Sequence, residues 1–278
     1  MANLEDEFGD IIAKARTGLG YSVDKLTAAT GLSSSDIESI EAYRYIPDTE
    51  HIFRLARVLS LNPDKLVDIA NGTWVPKVSI PQNGMLIKEI DVAYGSYREN
   101  CYIVCCKATH TAAVVDPGGS VEAILQYLAE QGFGLEFILI THAHADHISG
   151  LRQLLDKAPN ARLVGCMLKQ ESVARFSSAK WENMQEGVAV PLGNMNITPI
   201  HTPGHTSDST CYYVNGVCFV GDTLFAGSIG RSSSPQVYKQ MLANIQFKLL
   251  TLSDDTIFLP GHGPITSVFE EKSHNPFF

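Results

Sequence analysis

Five of the nine histidines stand in turns built from Gly, Thr and Asp rather than on periodic faces. His142, His144 and His147 lie in Thr-His-Ala-His-Ala-Asp-His at 141–147, His205 in Pro-Gly-His-Thr at 203–206, and His262 in Gly-His-Gly at 261–263. Asp222 follows Gly221 in a turn of the same kind. Imidazole nitrogen and carboxylate oxygen are ligand types for divalent ions, and this donor set suits Zn, Fe and Mn alike. His142 and His144 sit at i and i+2, so an extended turn points both rings to one side, toward one ion. Asp146 and His147 follow, and a helix beginning there turns them toward a second ion about 3.5–4 Å away. His205 completes the first set and His262 the second, and the Asp222 carboxylate is long enough to bridge both. Two cations sharing one water lower its pKa from about 15.7 toward about 7, giving a hydroxide nucleophile without a serine or cysteine. Hydrolysis is the expected chemistry. His51, His110, His201 and His274 are set aside as packed or surface residues.

The donors need elements to position them. Each donor turn follows a short apolar run: Phe-Ile-Leu-Ile at 137–140, Ile-Thr-Pro-Ile at 197–200, Cys-Phe-Val at 218–220 and Ile-Phe-Leu at 257–259. Such runs are too short for helices and suit strands, and 137–140, apolar throughout, suits one buried on both faces. In α/β folds the carboxyl ends of strands gather at one rim, which brings donors from distant turns together. Residues 101–106 and 112–115 also read as strands, Asp116-Pro117-Gly118-Gly119 as a turn and 121–130 as a helix, so residues 85–278 form an α/β layer structure. Residues 4–70 differ. Phe8, Ile11, Ile12, Ala15 and Leu19 recur at helical spacing, as do Val23, Leu26 and Ala29. Ser33 to Asp36 has capping-box form ahead of Ile37 and Ile40, Ile52 to Leu59 gives a fourth helix, and Asn62-Pro63 opens a fifth. Gly72, Pro76, Pro81 and Gly84 then break the periodicity. The expected organisation is an all-α unit at 1–75, a linker at 76–84 and the α/β unit at 85–278.

The string at 141–147, with His205, Asp222 and His262 in these contexts, resembles the metallo-β-lactamase superfamily, which implies an αββα sandwich with the metals at one edge. Within it, Asn100-Cys101-Tyr102, 116–119, Gly-Asp-Thr-Leu-Phe-Ala-Gly-Ser-Ile-Gly-Arg at 221–231, Gly-His-Gly-Pro at 261–264 and Asn275-Pro276-Phe277 resemble the short glyoxalase II-like hydrolases. The resemblance implies hydrolysis of a thioester such as S-D-lactoylglutathione. One ion can polarise the carbonyl while the bridging hydroxide attacks, and the thiolate, of pKa near about 8.5, leaves without a general acid. Asp146 and Asp222 are then the catalytic carboxylates, Asp146 orienting the hydroxide while it binds the second ion. Ser232-Ser233-Ser234 stands where the short enzymes carry an Asp and an aromatic, and no counterpart of the C-terminal helical domain that holds glutathione carboxylates in full-length glyoxalase II is expected. Arg231 and Lys272 are the basic candidates for an anionic substrate. A persulfide dioxygenase using His142, His205 and Asp222 on a single iron is the alternative enzyme, against which the intact Gly-His-Gly-Pro turn argues.

Residues 10–70 resemble the Cro/repressor-type helix-turn-helix family, with one helix over 22–30, a turn at Gly31 and a second helix over 33–43. DNA contacts would fall to Ser33, Ser34 and Arg44, and such a unit could dimerise, or make the chain a regulator using the metal unit as a sensor. Charge argues against DNA. The 278 residues carry a net charge of -9, and residues 1–71 alone set seven basic against twelve acidic side chains, a net of -5. A hydrophobic fraction of 45% and a charged fraction of 18% exclude a disordered chain. Glu5, Asp6, Glu7 and Asp10 occupy the stretch where a secretory leader needs a basic start, and no apolar run spans a membrane, so a cytoplasmic protein is expected. Cys101, Cys105, Cys106, Cys166, Cys211 and Cys218 show no ligand spacing and are expected as buried thiols.

Overall fold

A computed structural model describes residues 4–81, 84–95, 97–165 and 181–278. Two six-stranded sheets lie face to face. The first runs β1 (Met85–Tyr94), β2 (Tyr97–Cys106), β3 (Thr111–Val115), β4 (Gly134–Leu139), β5 (Arg162–Gly165) and β6 (Trp181–Asn183) in spatial order. The second contains β7 (Val190–Leu192), β8 (Met195–His201), β9 (Thr210–Val214), β10 (Val217–Gly221), β13 (Ile257–Pro260) and β14 (Thr266–Ser267), ordered β14-β13-β10-β9-β8-β7. A small hairpin, β11 (Leu224–Phe225) with β12 (Ser228–Ile229), stands apart.

Strand parity explains the layers, because successive side chains alternate faces. Tyr102 and Val104 of β2 and Phe137 and Leu139 of β4 meet Tyr212, Val214, Phe219 and Leu259 between the sheets. Their neighbours Cys101, Ile103, Cys105, Ile138 and Ile140 point outward against α6 (Glu122–Gln131), α7 (Ala145–Ile148) and α8 (Leu151–Lys157). On the other side Cys211, Cys218, Val220 and Phe258 are covered by α9 (Pro235–Asn244), its π-helical continuation Ile245–Leu249 and α10 (Val268–His274). Both faces of the central strands are therefore apolar, which is why their sequences read as unbroken hydrophobic runs.

Five helices precede the sheets: α1 (Phe8–Gly18), α2 (Val23–Thr30), α3 (Ser34–Glu41), α4 (Thr49–Leu59) and α5 (Pro63–Asn71). Local signals set their ends. Ser33 and Asp36 form the capping box of α3, Asn62 caps α5 with Pro63 at its first position, and Gly31 and Gly72 take left-handed conformations at the ends of α2 and α5. α3 stops at Glu41, and Tyr43, within the helix expected over 33–43, has φ 59°. The apolar core of these helices does not close on itself. Phe8, Ile11, Ile37, Leu55 and Trp74 belong to one cluster with Cys218, Val220, Tyr238, Met241 and Phe277. Residue 74, just ahead of the expected linker, is anchored too: Trp74 donates from Nε1 to Glu270 Oε2 at 2.8 Å and stacks on His274.

Five cysteines are buried and free, as expected, and Cys166 lies outside the described residues. Among the described residues no helix is long and apolar enough to cross a membrane.

Candidate metal centre

β3, β4, β8, β10 and β13 all end at the same rim, and their turns bring the expected donors together. β4 and β3 run parallel, as do β10 and β13. His142 Nε2 lies 3.0 Å from His144 Nδ1, which lies 3.1 Å from His205 Nε2. These spacings are close to the ~3.3 Å edge of a tetrahedron with metal–nitrogen bonds of ~2.05 Å. The short α7 carries Asp146 and His147 round to the other side, where they face His262. Asp146 Oδ2 is 3.5 Å from His262 Nε2 and 4.0 Å from His147 Nε2. Asp222 stands between the two groups. Its Oδ2 is 3.8 Å from His142 Nε2 and 3.6 Å from His205 Nε2, while its Oδ1 is 3.3 Å from His147 Nε2 and 3.7 Å from His262 Nε2. Gly261 permits this closeness, since a Cβ there would sit 2.5 Å from the His147 ring and 2.6 Å from Asp222 Oδ1.

Four of the five rings are held by the far nitrogen. His205 Nδ1 donates to the Arg231 carbonyl at 3.0 Å, and His262 Nδ1 donates to the Arg98 carbonyl. His147 Nδ1 donates to Asp116 Oδ2 at 2.9 Å, and His142 Nδ1 lies 3.1 Å from Thr141 Oγ1, which itself donates to Asp116 Oδ2. Asp116 Oδ1 accepts from Thr141 N at 2.7 Å. With the outer nitrogen occupied, the inner one of these four rings carries a lone pair aimed into the cluster. His144 differs by turning Nδ1 inward.

Electrostatics matches a site built for cations. Burial, reinforced by the charge of His147, holds His142 well below the usual histidine range, and burial also lowers His205. Both are ready neutral donors. Burial opposes charge on His147 as well, but Asp222 and Asp116 outweigh it and hold that ring well above the usual range. His262 is raised by Asp146 and Asp222 against the same opposition. Asp222 is held well below the usual carboxylate range: burial would raise it, and His147, His142 and His262 win. His262 lowers Asp146. Coordination needs the unprotonated inner nitrogen of His147 and His262, so cation binding there would compete with protons. The fit shows in the unpaired atoms. His147 Nε2 and Asp222 Oδ1 are buried with no hydrogen-bond partner, an expensive state that coordination to a cation would relieve.

The seven expected donors converge; other candidates do not. Arg231 borders the cluster through its carbonyl, while its side chain, 61% exposed, pairs with Asp10 at 3.2 Å. Lys272, on α10, pairs with Asp254. Ser33 is occupied as the α3 cap, Ser34 Oγ is 3.4 Å from Thr27 Oγ1, and Arg44 is exposed beyond the end of α3. Two acidic residues were missed as site components. Asp116, read only as part of a turn, organises two rings. Glu99 on β2 is 1% exposed, 3.5 Å from His147 Nδ1, and has no hydrogen-bond partner on either oxygen; burial pushes its carboxyl well above the usual range, against the pull of His147. Flanked by Arg98 and Asn100 ahead of the apolar run at 101–106, Glu99 reads as a polar residue like its neighbours and carries no signal of its own in the sequence.

Comparison with known proteins settles the family. The Metallo-beta-lactamase superfamily profile matches residues 95–262, which include every one of these donors. The chain belongs to the metallo-β-lactamase superfamily. It is a metallo-hydrolase of that superfamily, whose glyoxalase II-like members bind a dinuclear metal site. The chain is similar to "Hydroxyacylglutathione hydrolase GloC" of Haemophilus influenzae, 32% identical over 201 residues covering 66% of this chain and 93% of the relative. Among solved structures it is similar to ETHE1 from Myxococcus xanthus, with 30% identity, a TM-score of 0.61 and coverage of 69% of this chain and 83% of that one. It is also similar to TTHA1623 in a di-iron-bound form, with 28% identity, a TM-score of 0.55 and coverage of 68% and 100%.

Proposed function

We propose that this metallo-β-lactamase-superfamily chain hydrolyses a small-molecule thioester of the S-acylglutathione type in the cytoplasm. The observation that carries the reading is Asp222, whose two oxygens face two separate donor groups. His142, His144 and His205 would hold one divalent ion and Asp146, His147 and His262 a second, with Asp222 available to both; zinc suits the donors, as do iron and manganese. When bound, such a pair supplies a hydroxide at neutral pH and polarises a carbonyl. The chain's own residues do the rest. Asp146, 20% exposed at its side chain, is the carboxylate of the second group that reaches the open face and orients the attacking oxygen. Asp222 fixes the separation of the two groups. A thiolate of pKa near about 8.5 leaves unprotonated, so the lack of an assigned general acid fits a thioester better than an amide. The similarity to proteins named hydroxyacylglutathione hydrolase supports the same substrate class.

Thiol release from S-D-lactoylglutathione and other acyl-thiols by metal-loaded protein tests the reading. Asp222→Ala is expected to lower kcat/KM on the order of 10³-fold or more, because it removes the ligand both ions share. Fully loaded protein that releases no thiol from any of them overturns it. The similarity to ETHE1 keeps persulfide dioxygenase chemistry at a single iron as a second reading, since His142, His205 and Asp222 suffice for one ion. Oxygen uptake with glutathione persulfide distinguishes the two.

A further inference from the structure

The matched family region begins at residue 95, so the five leading helices lie outside it. They meet the back of the metal cluster along a short segment, residues 229–231, and at Phe225. Ile229 O accepts from Lys14 Nζ at 2.7 Å. Gly230 is pressed against two donors: a Cβ there would lie 2.0 Å from the Asp222 carbonyl and 3.1 Å from the His205 ring. Arg231 O accepts from His205 Nδ1, and the Arg231 guanidinium pairs with Asp10 Oδ1, which also accepts from Tyr43 Oη at 2.8 Å. Ile229 and Arg231 are thus tied to α1, while Gly230 and Arg231 touch His205 and Gly230 also Asp222.

Lys14 is the more demanding of the two ties. It is 5% exposed, and an ammonium is buried at such a position only when paired. Its partners are the buried Asp6 carboxylate, the Ile229 carbonyl and the Phe225 ring, whose centroid is 4.8 Å away. Phe225 in turn meets His262 edge-on at 6.0 Å. One lysine from the helical unit therefore stands behind donors of both groups.

We propose that Lys14 and Asp10 of α1 are positioning residues of the metal centre, fixing 229–231 against His205 and Asp222 and Phe225 against His262. The helical unit is on this account a wall of the active site rather than a separable module. The proposal concerns metal binding alone and needs no substrate, so it stands or falls apart from the thioester reading.

The test uses the full chain stripped of metal and titrated with Co²⁺ against a chelator, the visible Co²⁺ spectrum reporting ligand geometry. Lys14→Met with Asp6→Asn removes the charge pair without stranding a buried carboxylate, and is expected to bind Co²⁺ about 10- to 100-fold more weakly, with an altered spectrum. Asp10→Asn, which removes the charge of the outer tie and weakens the Tyr43 and Glu7 hydrogen bonds to the same side chain while leaving Lys14 in place, is expected to lose about three- to tenfold and serves as the deciding variant where the double variant does not fold. Leu55→Ala, in the helical core on α4, is the control for destabilisation alone, expected to leave affinity and spectrum within about twofold of the parent. Folded Lys14 or Asp10 variants that bind Co²⁺ within about twofold of the parent overturn the proposal, as does a Leu55→Ala variant that weakens binding as much as they do.

Discussion

Replacing Asp116 with asparagine changes one atom and should disable the metal centre without unfolding it. Asp116 is 2% exposed and accepts three hydrogen bonds: from Thr141 N, Thr141 Oγ1 and His147 Nδ1. Asparagine keeps the oxygen that serves Thr141 N but turns an amide toward the other two donors. It also tolerates the left-handed backbone here, φ 51°, so the loop need not strain. His147 escapes the donor–donor clash by moving its proton to Nε2, the atom 3.3 Å from Asp222 Oδ1 that an ion must use. A charge-assisted hydrogen bond contributes about 1.5–3 kcal/mol, so forcing the ring back to the binding tautomer should cost about 1.4–2.7 kcal/mol, or 10- to 100-fold in affinity. Zn²⁺ titration against a chromophoric chelator measures this, with the metal-free Tm as the control for folding. Asp116→Ala should behave differently, losing about 1–3 kcal/mol of stability by leaving the buried Thr141 N–H without an acceptor. An Asp116→Asn protein that binds two equivalents of Zn²⁺ with parental affinity would refute the tautomer argument.

Gly261→Ala adds a methyl 2.5 Å from the His147 ring and 2.6 Å from Asp222 Oδ1, and should reduce bound metal below two ions per chain, by elemental analysis, with the far-UV spectrum unchanged; two bound ions would mean the loop yields. Glu271 supplies a pH signature remote from the metals. Burial lifts its carboxyl from 4.5 to about 7, against donors from Thr266, Asn275 and Gly227. The folded chain then binds the proton more tightly than the unfolded one, so stability falls as pH rises from about 4.5 to about 7 and is flat above, a loss of about 3 kcal/mol from this group. Urea unfolding at pH 5 and pH 8 should show that difference shrink in Glu271→Gln, and parallel profiles for the two proteins would contradict it.

Much of the centre is legible in the chain because its rules are local. Apolar runs of three or four residues ending in polar turns announce strands at a rim, and the His-Ala-His-Ala-Asp-His spacing sorts donors into two groups before any distance is known. Capping residues Ser22, Ser33 and Asn62 mark helix starts for the same reason, since a cap bonds an amide three residues away. β1 was not read, for its side chains are mostly half-buried or exposed and it gains definition only by pairing with β2.

Charge and partnership were decided elsewhere. Asp116 reads as a turn residue until β3 and β4 set it beside His147, and Lys14 is only one of seven basic residues in 1–71 until α1 meets Asp6, Ile229 and Phe225. The expected division at 76–84 follows chain punctuation, yet the apolar cluster runs from Phe8 to Phe277 across it. Residue type and spacing along the chain determined which atoms could bind metal and which elements carry them, because donor chemistry and strand parity act over a few residues. Which far nitrogen finds an acceptor, which carboxylate stays charged and where the leading helices lie were left to tertiary structure, because solvent exclusion and hydrogen-bond geometry exist only once distant segments touch.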